Sequence, residues 1–385
     1  MKYKLSDICS FRKGKVEVES LNAQNYISTE NMLPNKGGIT EASSLPNAAL
    51  TQSYKEGDVL VSNIRPYFKK IWQAKNDGGC SNDVLVFVPN SNADREFLYY
   101  VLADDDFFAY SMATSKGTKM PRGDKTSIMQ YEIPQFDIPT QKKIASILKA
   151  LDKKVELNSE INNNLLEQAL AIYKDWFCDY ALSDGTLPKN WKITTIDAIS
   201  SLVTRGIAPK YDDSSDQIVL NQKCIRDHTI DISLARRHLP KKINEKWISK
   251  GDLLINSTGT GTLGRVAQVW FEANNMTVDS HVTIVRPKDS ILQSYIGFWG
   301  LSHESEIEAQ HTGSTGQTEL PRDRVKAMEL PLPDEDTLSK FNELIIPMTS
   351  TVISNQEENA RLSQLRDALL PELMSGEIDV SDINR

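Results

Sequence analysis

Between Thr140 and about Cys178 the apolar positions fall at alternating steps of four and three: Ile144, Leu148, Leu151, Val155, Asn158, Asn162, Leu165, Ala169, Ile172 and Trp176. This is a heptad seam, narrower than the stripe of an ordinary surface helix, and it predicts a long coiled-coil helix. Adding 197 to each number gives Phe341, Ile345, Met348, Val352, Asn355, Asn359, Leu362, Arg366, Leu369 and Leu373, so the seam returns. Both polar interruptions return with it. Two unrelated helices with solvated edge asparagines are the simpler alternative, but they leave that coincidence unexplained. An antiparallel pair would set Asn158 opposite Asn359 and Asn162 opposite Asn355, weakening the coil while fixing its register. Pro347 lies inside the second copy, where its missing N–H predicts a bend or a late start of the regular helix.

The segments before the two helices read as strand-rich domains. Asp58–Ser62 and Asp83–Val88 are apolar, β-branched runs bounded by Gly and Asn, the strand signal. Glu96–Met112 has helical spacing, a basic loop from Thr114 to Arg122 follows, and Ile133-Pro134 and Ile138-Pro139 lead into the long helix. After a turn-rich linker, Ser183–Asn190, the plan repeats. Lys55–Val61 matches Ser249–Ile255, Gly117–Arg122 resembles Gln317–Arg322, which Gly316 precedes, and Glu132-Ile133-Pro134 matches Glu329-Leu330-Pro331. The stretches between, such as 11–54 and 204–248, do not match. The expected fold class is α+β: two mixed α/β domains separated by two long helices that form an antiparallel coiled coil, with an internal pseudo-two-fold repeat. The boundaries read as 1–139, 140–180, 181–333 and 334–385.

Composition narrows the class. The four cysteines are scattered without a Cys-x-x-Cys pair, so no disulfide framework or structural zinc is expected and a reducing cytoplasm fits. No apolar run reaches the roughly 20 residues of a membrane span, and the start lacks a signal-peptide core. The net charge is −8. Residues 334–385 hold four basic and eleven acidic side chains, so nearly all of that excess lies in the second helix and its tail. The globular segments are neutral on average and can each present a basic face.

Catalytic motifs are missing: no phosphate loop, no H-E-x-x-H, no nucleophile elbow, and no metal spacing among the five histidines. Gly259–Gly264 fits G-x-G-x-x-G, and an enzyme using it for a nucleotide is one alternative. A helix should then open on Gly264, whereas Arg265–Phe271 reads as a strand, so a glycine-rich hairpin loop is expected. Its residues Thr258, Thr260, Thr262 and Arg265 are candidate nucleic-acid contacts. The matching loop of the first half carries Arg65, Tyr67, Lys69 and Lys70, cations interleaved with an aromatic, suited to phosphate and base-edge contact. Lys116, Lys119 and Arg122 in the first half, and Ser314, Gln317, Thr318 and Arg322 in the second, supply similar donors. Arg205 and Lys210 are further candidates, along with Arg236, Arg237, Lys241 and Lys242. A surface charge is the bland reading of each alone.

The tail Leu365-Arg366-Asp367-Ala368-Leu369-Leu370-Pro371-Glu372-Leu373-Met374-Ser375-Gly376-Glu377 resembles the C-terminal signature of the specificity subunits of type I restriction-modification systems. Gly251–Gly261, Gly313–Pro321 and Leu187–Lys192 resemble the same family, and the likeness spans essentially the whole chain. Thr140-Gln141 departs from it, since the family often has an acidic residue before the glutamine. The resemblance implies two target-recognition domains, each reading one half of a split double-stranded DNA site. It implies that the helices act as a ruler and dock two methyltransferase (M) subunits, here through Leu365, Leu369, Leu370 and Leu373. Restriction (R) subunits would join the assembly. S-adenosylmethionine, ATP and Mg2+ would serve those partners, with no cofactor, metal or catalytic residue on this chain. A helix of about 38 residues spans roughly 57 Å, on the order of 17 base pairs. The competing class is a coiled-coil scaffold displaying two protein-binding domains without DNA binding.

Overall fold

Two helices, α1 (Ile138–Phe177) and α2 (Glu335–Ser375), of 40 and 41 residues, are the longest elements of the computed structural model. The structure describes residues 2–239, 243–313 and 318–380. Each long helix is started by an aspartate. The Asp137 carboxylate accepts the Thr140 N–H at 2.9 Å, and Asp334 accepts the Thr337 N–H at 2.9 Å and its hydroxyl at 3.0 Å. These bonds satisfy amides that a helix start leaves unpaired. Gly376 ends α2 with φ +79°, the left-handed conformation in which a side chain would be strained. α2 begins at Glu335 and continues as helix through Pro347, so the expected late start does not occur. The regular bonds on either side of one missing N–H are sufficient to carry the helix past it.

The chain divides into two compact units, Met1–Glu156 with Asn359–Arg385, and Leu157–Glu358. Each long helix is thus shared between them. In the first unit Asn359 Nδ2 donates to Val155 O at 3.4 Å, and Arg366 Nη1 donates to Asp152 Oδ1 at 2.8 Å. In the second, Asn162 Nδ2 donates to Val352 O at 3.4 Å, Asn355 Nδ2 to Asn162 Oδ1 at 2.8 Å, and Asn158 Nδ2 to Glu358 Oε2 at 2.7 Å. Partner numbers fall on one helix as they rise on the other, which is antiparallel pairing. Every residue of both seams is buried or half-buried. The inward face is wider than a seam: Tyr173 and Phe177 are more deeply buried than Ile172 and Trp176, packing with Trp191, Tyr295 and Phe341. Here the helix meets a domain as well as its partner, as for an ordinary globular helix.

Each unit is built on an antiparallel four-stranded sheet. In the first, β1 (Cys9–Phe11), β2 (Val59–Ser62), β3 (Ile71–Gln73) and β4 (Val84–Pro89) lie in the order β1-β4-β2-β3. In the second, β5 (Ser200–Arg205), β6 (Leu253–Asn256), β7 (Val266–Gln268) and β8 (Val282–Pro287) lie in the order β5-β8-β6-β7. The helix expected over 96–112 is two helices, Arg95–Ala103 and Asp105–Ala113. Asp104 breaks it by taking an extended backbone and capping the second helix through the Asp106 N–H. A short strand closes each unit: Lys2–Lys4 pairs with Glu132–Pro134, and Lys192–Thr195 with Glu329–Leu332.

The matched Gly-Asp turns before β2 and β6 are structural. Asp58 is buried and takes the Lys55 N–H at 2.8 Å, as Asp252 takes that of Ser249 at 2.8 Å. Arg12 forks onto Asp58 and Arg286 onto Asp252. The bonds to Asp252 raise the Arg286 pKa, while burial alone pushes Asp252 up against that pull. Arg12 follows β1 whereas Arg286 lies on β8, so the arginines do not match in sequence and only the aspartate is legible as a repeat.

Candidate nucleic-acid interface

In each unit the hairpin loop after the central strand is clamped to the segment that precedes a short helix. In the first, β2 and β3 form the hairpin; Arg65 N donates to Pro121 O at 2.8 Å and Gly123 N to Asn63 O at 3.1 Å. Lys116 and Arg122 exchange both backbone bonds, at 2.9 and 3.0 Å, and Ile64 bridges to Arg122. In the second, β6 and β7 form the hairpin, and Leu320 N donates to Ser257 O at 2.8 Å. Thr312 and Glu319 exchange bonds at 2.7 and 2.9 Å, and Thr258 bridges to Glu319. Two loops far apart in sequence are thereby presented together, twice.

In the first unit Arg65 is half-buried at φ +51°, and Lys69 closes the same turn at φ +49°. Between them Tyr67 and Phe68 are exposed, ring centroids 4.7 Å apart. Lys69 pairs with Asp105 at 2.7 Å, and Lys70 donates to Thr29 O at 2.6 Å. Lys116 pairs with Asp124 at 2.6 Å and is the leading cause of that carboxylate's descent to about 2. Arg122 pairs with Asp83 at 3.1 Å, and Lys119 is exposed. Exposed pairs of this kind are worth little, so a phosphate can displace the carboxylate at small cost.

The second unit is less basic at the matching place. Arg205 is half-buried and braced on Glu319 at 2.6 Å and on Leu320 O at 2.8 Å, so its guanidinium is used to hold the clamp. Lys210 is exposed. Thr260 is exposed at the loop tip, Thr258 and Arg265 are half-buried, and Thr262 Oγ1 donates to Thr258 O at 3.3 Å. Gly259 takes φ +105°, and a Cβ there would meet the Gln222 amide at 2.9 Å, so this glycine is required by close packing. Strand β7, not a helix, follows Gly264. Thr318 is half-buried and Arg322 is exposed, 3.5 Å from Asp323. Ser314, Gln317, Lys241 and Lys242 lie outside the described residues. Arg236 stacks on the Tyr211 ring at 3.5 Å. Arg237 donates to Ser215 O at 2.5 Å.

The docking expectation needs correction. Leu370 and Leu373 are core residues of the first unit, packed with Ile144 and Leu148, so neither can form an exposed face. Leu369 is partly buried against that core, and only Leu365 is well exposed. The amphipathic tail turns its leucines inward because its own domain covers them.

Residues 1–167 match the family model described as the type I restriction modification DNA specificity domain. The HindI specificity subunit of Haemophilus influenzae is 24% identical, the alignment covering 98% of this chain and 99% of that protein. The MjaIX specificity subunit of Methanocaldococcus jannaschii is 23% identical over 86% of this chain and 79% of its own length. Residues 1–167 thus match the DNA specificity domain of type I restriction-modification systems, and the chain is similar to their specificity subunits along nearly its whole length. The crystal structure of such a subunit from M. genitalium shares the fold, with a TM-score of 0.61 at 15% identity, covering 99% of this chain and 96% of that one.

Asp83, Gln222 and His281, absent from the sequence candidates, also border the clamped loops. Gln222 stands beside the basic Lys223, whereas Asp83 and His281 have no basic residue next to them in sequence. The pairing of β4 and β8 with the central strands brings Asp83 and His281 to the site. Among the described residues no cluster of His, Cys, Asp or Glu could hold a metal ion, and no helix is long and apolar enough to cross a membrane.

Proposed function

We propose that this chain is a specificity subunit that reads a bipartite duplex DNA target, one half-site per unit, and docks two M subunits and, where present, R subunits. The observation that carries this reading is the repeated clamp: one backbone scaffold displays two loops in each unit, with different side chains in the two copies. Duplicated scaffolds with divergent tips suit two half-sites of different sequence. The chain binds no cofactor in this reading, and S-adenosylmethionine, ATP and Mg2+ are used by its partners. The long helices serve as spacer and docking surface, with Leu365 and part of Leu369 as the accessible remnant of the tail face. Helices of 40 and 41 residues extend about 60 Å.

Duplex binding by the chain assembled with its M partner tests the proposal. Affinity should fall steeply with salt, and Lys119→Ala should lower the slope of log K against log salt by about one. Salt-insensitive binding, or none, would contradict it.

A further inference from the structure

The two interfaces share a backbone frame more closely than their side chains suggest. Asn63 N donates to Asp83 O at 2.8 Å, and Ser257 N to His281 O at 2.7 Å. The turns that follow close alike: Val84 N donates to Ser81 O at 3.0 Å, and Val282 N to Asp279 O at 3.2 Å. The side chains of Ser81 and Asp279 accept the N–H of Asp83 at 3.3 Å and of His281 at 2.9 Å. Asp83 and His281 therefore occupy one framework position.

On that position the chemistry is exchanged. Asp83 pairs with Arg122, whose own counterpart in the second unit, by its pair of bridges, is the acidic Glu319. There His281 bonds Thr258 Oγ1 through Nδ1 at 2.7 Å, and Thr258 Oγ1 donates to Gln222 Oε1 at 3.3 Å. A hydroxyl has one proton, and an amide oxygen can only accept. With that proton on Gln222, Thr258 must accept from His281 Nδ1–H, so that in the neutral imidazole Nε2 is the acceptor. The carboxylate of Asp83 is an acceptor too. His281 is exposed and Asp83 half-exposed, each beside its clamped hairpin loop. By contrast the buried Gly-Asp turns, which serve folding, keep the same residue in both units.

We infer that Asp83 and His281 are matched specificity-determining residues, each offering a hydrogen-bond acceptor to one base of its own half-site. The group read is an exocyclic amine, cytosine N4 or adenine N6. Thr258 and Gln222 are positioning residues that orient the His281 ring. The inference rests on the DNA-reading function proposed above.

Selection from randomised duplexes by the chain assembled with its M partner tests it, using wild type, Asp83→Asn, His281→Gln and His281→Ala. Asp83→Asn should relax one base pair of one half-site by about tenfold or more and leave the other half unchanged. Both His281 variants should relax one base pair of the opposite half only. Unchanged preferences in all variants would overturn the inference and leave the bipartite reading standing. Loss of a whole half-site in both His281 variants would mark a structural role and overturn it as well. A wild-type complex that enriches no two-part sequence would remove the proposed function and this inference with it.

Discussion

Asn355 Nδ2 donates to Asn162 Oδ1 at 2.8 Å across the paired helices of the second unit. The bond joins the second polar interruption of one seam to the first of the other, as antiparallel pairing requires. It makes the register of the pair specific, because a slip would bury both amides without partners.

Asn355→Ala should therefore lower stability by about 1–2 kcal/mol, read from urea unfolding, since Asn162 loses a donor. Leucine at both positions should restore or raise the melting temperature while weakening the choice of register. A double variant less stable than either single one would count against a register role.

Asp334 is held down to about 2 chiefly by the Thr337 N–H, with the Trp191 indole and Asn190 amide assisting against partial burial. Its folded pKa lies below the ordinary carboxylate value of about 3.9. The stabilisation is thus complete above that value and is lost as pH falls toward about 2. Asp334→Asn should flatten this part of an acid titration followed by tryptophan fluorescence. Identical acid limbs would show that the cap contributes nothing.

Asp252→Ala leaves the half-buried Arg286 without its carboxylate and should cost about 3–5 kcal/mol. Arg322→Ala, at an exposed side chain, should stay within about 0.5 kcal/mol. Thermal unfolding separates the two outcomes.

The helices, their register asparagines and the two hairpins were legible because each is written in contiguous periodic sequence. Other features depend on contacts that sequence spacing does not carry. Asp104 interrupts a helical pattern that its neighbours support, and Tyr173 and Phe177 are drawn inward by a domain packed beside the seam. Leu370 and Leu373 were expected in a docking face from the resemblance of the tail, and a linear motif does not say what covers its apolar side. Asp83 and His281 became recognisable only as equivalents, once β4 and β8 placed them beside the clamped loops.

Insertion of four residues after Ala150 adds about one helical turn, roughly 6 Å, or about two base pairs. The gap between half-sites should lengthen with both half-sites intact. Altered half-sites at constant gap would refute the spacer role.

Methylome sequencing of cells with and without this gene, in the presence of its M partner, tests the central claim most directly. The account predicts N6-methyladenine at one two-part motif with a fixed non-specific gap, present only with the gene. Identical methylation in both strains would contradict it.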